Sequence, residues 1–178
     1  LTHIYNSIKS GKTIPFEYER YMYNSKNINV GDTSQNFVIP NYSKRPTAVL
    51  VYIQPSTVDS DLTVDKLAAS LNGLGSSRVQ IDSKIYPEIG YEGSNQGFLH
   101  EMETFLQLGN KQKQDIFGTF NDKDKWTNVY PVISYDASAL RDEFGTVRSN
   151  PPAMQWQATF PVFTAQQIAH VVVVGREY

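Results

Sequence analysis

The sequence predicts an all-β fold, a sandwich or barrel of short antiparallel strands. Several segments alternate strictly between apolar and polar residues, the period-two pattern of a half-buried strand. Proline, glycine and asparagine breaks punctuate these segments at short intervals. No stretch alternates strand with helix as a βαβ fold would.

Taken in order, the first candidate strand covers about residues 14–23, where Phe16 and Tyr18 alternate with Glu17 and Glu19. Its aromatic series runs on through Tyr21 and Tyr23 to a break at Asn24-Ser25. A second strand spans Asn36 to Ile39 and stops at Pro40. The third, Ala48 to Ile53, is apolar on both faces, which predicts cover on both sides. Val64, Leu67, Ala68 and Leu71 fit a short helix, or equally a strand feeding the Asn72-Gly73 turn. From Arg78 to Ile85 one strand is predicted, with Arg78, Gln80, Asp82 and Lys84 on one face and Val79, Ile81, Ser83 and Ile85 on the other. Phe98, Leu99, Met102, Phe105 and Leu106 recur at helical spacing, with Asn95 as cap and Gly109 as stop. Asn128 to Tyr135 is a further strand, and Pro131 predicts an edge position or a bulge for it. Trp156, Ala158, Phe160 and Val162 share one face of the next strand, against Gln155, Gln157 and Thr159. The last, Ala169 to Val174, is again apolar on both faces.

The 178 residues suit one domain, 1–178, with 40% hydrophobic and 12% aromatic side chains. Sixteen basic against 18 acidic residues leave a net charge of −2 and no basic stripe, so nucleic acid is not an expected partner. The absence of cysteine excludes disulfides, thiolate zinc sites and a cysteine nucleophile. No apolar run approaches the ~18 residues that span a bilayer, and no membrane association is expected. The chain begins at Leu1, which fits a fragment or a processed product.

The search for chemistry returns little. His100-Glu101-Met102-Glu103-Thr104 starts like a zinc-protease helix, but Thr104 stands where the second histidine belongs. His3, His100 and His170 are scattered, so no barrel metal site is expected; His170 reads as a strand-end residue, with a pH-sensitive interface as the sharper reading. Asp59, Asp61 and Asp65 lack the turn glycine and closing glutamate of a calcium loop and read as capping and loop acids. No Gly-x-Ser-x-Gly elbow exists, and residues 72–77 lack the lysine of a phosphate loop. Asn41-Tyr42-Ser43 is a formal glycosylation acceptor. Asn121 to Lys125 alternates charge like a solvated loop tip. No catalytic, cofactor-binding or metal-binding residue is assigned, and no enzymatic activity is expected.

Four stretches carry a family resemblance: Lys44-Arg45-Pro46 leading into Val49-Leu50-Val51-Tyr52; Val79 to Pro87 followed by Tyr91; Asn128 to Ser138; and Ala169 to Tyr178. Together they make the chain resemble one jelly roll of the double jelly-roll viral major capsid proteins, the lineage of virophages, polinton-like elements and adenovirus hexons. Ala137 stands where that family often has leucine in an aromatic-Asp-Leu-Ser turn. The resemblance implies an eight-stranded antiparallel jelly-roll sandwich, with the helix around Phe98 to Leu108 between the sixth and seventh strands. Since such capsid proteins hold two jelly rolls, it implies that this chain is part of a longer one, or else a single jelly-roll penton relative. It further implies packing against a second jelly roll and against copies of itself, as a homotrimeric, pseudo-hexagonal capsomer of the virion assembled in the host cell. The two doubly apolar strands and the Trp156 strand supply the candidate assembly surface: Trp156, Val171, Val172, Val173 and Val174. The alternative is a carbohydrate- or receptor-binding jelly roll that uses tyrosine and tryptophan rings in a groove.

Overall fold

The computed structural model describes residues 9–10, 18–59, 74–92, 99, 132–137 and 150–177. They contain eight strands: β1 (Tyr18–Ile28), β2 (Ser34–Ile39), β3 (Pro46–Pro55), β4 (Ser76–Ile81), β5 (Lys84–Tyr91), β6 (Val132–Asp136), β7 (Met154–Thr159) and β8 (Gln167–Glu177). A 3-10 turn, Ser56–Asp59, follows β3.

Two four-stranded antiparallel sheets form, in the orders β1-β8-β3-β6 and β2-β7-β4-β5. The pairing is nested: β1 with β8, β2 with β7, β3 with β6 and β4 with β5. A long antiparallel ribbon folded over on itself and wound into two layers gives this order, and it is the order of a jelly roll. The fold class is thus all-β, as expected.

Alternation decides what lies between the layers. Val49, Val51, Ile53, Ile133, Tyr135, Ala169, Val171 and Val173 point inward from the first sheet, against Ile39, Val79, Ile81, Met154, Trp156 and Ala158 from the second. Met22 and Ile28 add the inward side of β1. One buried polar contact crosses this core. The indole Nε1 of Trp156 donates to Ser77 Oγ at 2.8 Å, and Ser77 Oγ also hydrogen-bonds the Tyr135 hydroxyl. Sheet two therefore holds sheet one by a directional link as well as by apolar burial.

Three strand boundaries differ from expectation. β1 runs through Asn24 and Ser25 to Ile28, because β8 supplies partners for all of it, Asn24 opposite Val171 and Ser25 opposite His170. The single strand read across residues 78–85 is a hairpin: Ile81 pairs with Lys84, and Asp82 turns the chain at φ 53°. Aspartate tolerates this left-handed conformation better than most residues. The hairpin tip is then tied to the start of β7, Asp82 N donating to Ala153 O at 2.8 Å and Asp82 Oδ1 accepting from Ala153 N at 2.9 Å. Finally, β7 ends at Thr159, so Phe160 stays buried while Val162 lies beyond the strand and is exposed.

Among the described strands β6 lies at an edge of its sheet, one of the two outcomes that Pro131 predicts, while residues 128–131 lie outside the described residues. Among the described strands, residues 98–108 fall between β5 and β6, not between a sixth and a seventh strand. Of that expected helix only Leu99 is among the described residues, and the Val64 to Leu71 segment lies outside them.

Gly175 of β8 marks a close approach. A Cβ there would collide with the Ser43 side chain, whose Oγ accepts from Arg45 N at 3.1 Å. Gly175→Ala is expected to lower stability by about 1–3 kcal/mol as the 41–45 loop is pushed aside. Equilibrium urea unfolding measures it, and an unchanged midpoint would show that the loop gives way freely.

Candidate assembly surface

The outward face of the first sheet is fixed by register. Three rows cross it: Tyr21, Val174, Ala48 and Asp136; Tyr23, Val172, Leu50 and Ser134; Ser25, His170, Tyr52 and Val132. Exposure is high on β1 and lower on the strands beside it. Tyr21 and Tyr23 are 65% and 59% exposed, Val172, Val174, Leu50 and Tyr52 are half-buried, and Ala48, Ser134 and His170 are buried. Both β3 and β8 are thus largely covered on both faces within one chain.

That placement divides the five residues expected to form an assembly surface. Trp156, Val171 and Val173 have no exposure at all, since their parity points them into the sandwich. They cannot meet a partner without unfolding. Val172 and Val174, one residue out of phase, do reach the outward face and stay half-buried there. The surface is instead dominated by the β1 tyrosines, which lie directly opposite these two valines. A sequence signal existed: Tyr21 and Tyr23 share the parity opposite to Met22 and Ile28, so rings and core residues occupy different faces.

Polar contacts fix this aromatic strip. The Tyr21 hydroxyl donates to Glu19 Oε2 at 2.8 Å, and the bond, with the carboxylate charge behind it, raises the phenol above its ordinary pKa. The Tyr23 hydroxyl and His170 Nδ1 share a hydrogen bond of 2.5 Å. Tyr52 stacks on the same imidazole, with ring centroids 4.5 Å apart and planes 10° from parallel. His170 is therefore an interior β8 residue held between two rings, not a strand-end residue.

The outward face of the second sheet has a different character. Its rows read Ser34, Thr159, Ser76; Asn36, Gln157, Arg78; and Val38, Gln155, Gln80, Ile85. Arg78 Nε donates to Gln157 Oε1 at 2.9 Å, Gln157 Nε2 to Gln80 Oε1 at 3.3 Å, and Gln155 to Asn36. These amides line the outward face together with the exposed Val38 and Ile85, and none of these three rows carries an aromatic ring.

The remaining sequence candidates bring no chemistry together. No group of three or more metal-ligating side chains occurs among the described residues. His3, His100, Asp61 and Asp65 lie outside those residues, as do residues 121–125. Asn41 of the formal glycosylation sequence is engaged, its Nδ2 donating to Ser43 O at 3.1 Å and Pro152 O at 3.2 Å while its Oδ1 accepts from Ser43 N at 3.0 Å. Among the described residues no helix is long and apolar enough to cross a membrane.

No family model matches the chain. No curated protein matches it either. Among solved structures it is similar to the major capsid protein P2 of bacteriophage PM2, at 12% identity and TM-score 0.44, over 94% of this chain and 48% of that one. It is also similar to a chain of the tomato aspermy virus structure, at 16% identity and TM-score 0.31, over 99% and 94%. A YbjQ-like protein of unknown function from Sulfolobus solfataricus aligns at 8% identity and TM-score 0.27, over 89% and 99%. The chain spans about half the length of the PM2 protein. All three are distant likenesses, and the strand order carries the fold without them.

Proposed function

We propose that this chain is a structural building block of a virus capsid: one jelly roll that packs against a second jelly roll, with three such chains forming a pseudo-hexagonal capsomer. The observation that supports this best is the nested order β1-β8-β3-β6 over β2-β7-β4-β5, the architecture that the sequence resemblance implies. A second support is the placement of exposed rings. Tyr21 and Tyr23 lie on one outward face of β1 beside the half-buried Val174 and Val172, which suits a side wall that meets another subunit.

The carbohydrate-binding alternative needs rings lining a concave sheet face. The three outward rows of the second sheet have none, and among the described residues the other exposed tyrosine outside β1, Tyr42, lies in the β2–β3 loop. On this reading the protein has no catalytic role and resides in the virion.

Expression of the whole reading frame that contains this chain, followed by mass determination in solution and electron microscopy, tests the proposal. Trimers with a pseudo-hexagonal outline are expected. A monodisperse monomer that forms no particles overturns the reading.

A further inference from the structure

Asn41-Tyr42-Ser43 is the one Asn-x-Ser/Thr sequence in the chain, and it lies in a corner where the two sheets are tied together. Residues 40–45 are held to the first sheet by Asn24 Nδ2, which donates to Pro40 O at 3.3 Å, and by Arg176 N, which donates to Arg45 O at 3.0 Å. Asn41 makes the link to the second sheet. Its Nδ2 donates at 3.2 Å to the carbonyl oxygen of buried Pro152, two residues before β7, and at 3.1 Å to Ser43 O, while its Oδ1 accepts from Ser43 N. Ser43, which the acceptor sequence also requires, is fully buried, and its Oγ accepts from Arg45 N. Of the three residues only Tyr42 is exposed.

We infer that an N-glycan on Asn41 and this fold exclude one another. The modification joins Nδ2 to the anomeric carbon of a sugar delivered on a lipid diphosphate; one amide proton is lost and the lipid diphosphate leaves. Nδ2 then keeps one hydrogen for two carbonyls, and a sugar ring must stand where Asn41 meets Pro152. A glycan is a bulky group suited to an open surface, and contacts of 3.1 and 3.2 Å around its attachment atom leave it no place. Timing gives the exclusion its effect. Pro152 follows Asn41 by 111 residues, roughly 6–22 s of synthesis at about 5–20 residues per second, so the acceptor is open before its closing partner exists. In a compartment that holds the transferase the chain is modified first and cannot then close; elsewhere it folds, and folding withdraws the acceptor. The chain is thus built for synthesis outside the N-glycosylating compartment, whatever it assembles into.

The test expresses the whole reading frame in eukaryotic cells by two routes, in the cytosol and behind a cleavable secretory signal, with size-exclusion chromatography and peptide mass mapping at Asn41. Cytosolic protein is expected to be folded and unmodified. Secretory protein is expected to carry the glycan in aggregated material, with Asn41 occupancy in the folded fraction lower by about tenfold or more. Ser43→Ala removes the acceptor and keeps Asn41, and is expected to fold as well by the secretory route as the same variant does in the cytosol. Tyr42→Pro, which also removes the acceptor and changes an exposed position, serves if loss of the Ser43 hydroxyl prevents folding. A folded fraction glycosylated at Asn41, with the unfolding midpoint of the unmodified protein, overturns the inference. So does an acceptor-free variant that folds in the cytosol and not by the secretory route. Capsomer formation enters neither outcome, so the capsid reading stands or falls separately.

Discussion

Trp156→Ala is expected to remove about 3–5 kcal/mol of folding stability, a large part of the margin of a domain this size. The ring is fully buried, sits across from Phe37 and Val79 on its neighbouring strands, and packs near Phe160 at a centroid distance of 6.0 Å. Truncation opens a cavity between the layers and cuts the link to Ser77. Trp156→Phe separates these effects, since it keeps most of the volume but removes the N–H donor; a loss of about 1–2 kcal/mol is expected. Urea unfolding followed by circular dichroism gives both values. Equal losses for the two variants would place the stabilisation in the hydrogen bond alone.

A matched pair on β8 is expected to differ even more. Val171→Asp buries a carboxylate at a position with no exposure and no cationic neighbour across the strands, where Val51 and Asn24 oppose it. Several kcal/mol of desolvation then fall on one site, and no folded protein is expected at neutral pH. Val172→Asp, one residue on, places the same group at the half-buried outward face next to Tyr23, and a folded chain with a loss of about 1–2 kcal/mol is expected. Soluble yield and the unfolding midpoint of the two variants decide it. Similar behaviour of both would mean that β8 does not present alternate faces as its register states.

Much of the fold was legible because alternation is a direct imprint of a sheet with one wet face. Gln155, Trp156, Gln157 and Ala158 carried it without ambiguity, and Pro131 pointed to an edge or a bulge. The hairpin at Asp82 was hidden for a physical reason. Asp82 and Ser83 continue the polar and apolar rhythm of the flanking strands, and no glycine announces the reversal, because tertiary bonds to Ala153 stabilise the left-handed aspartate. The break expected at Asn24-Ser25 failed similarly: local turn preference yielded to an 11-residue ladder. For the candidate surface, a run such as Val171 to Val174 cannot reveal which of its members face inward. Parity was readable only from Met22 and Ile28 on the neighbouring strand, and the pairing of β1 with β8 joins residues far apart in sequence.

The place of β8 bears on how the molecule comes into being. It is the last of the eight strands to be synthesised, yet it lies inside the first sheet, between β1 and β3. Until it arrives, β1 and β3 each lack the neighbour that pairs with them along 9–11 residues. Folding of this layer therefore waits for residues 167–177, which must close contacts across nearly the whole chain, a high-contact-order step that sets a slow pace. In the interval Val49, Val51 and the β1 tyrosines lack the strand that pairs with theirs, an aggregation-prone state that lasts until β8 docks.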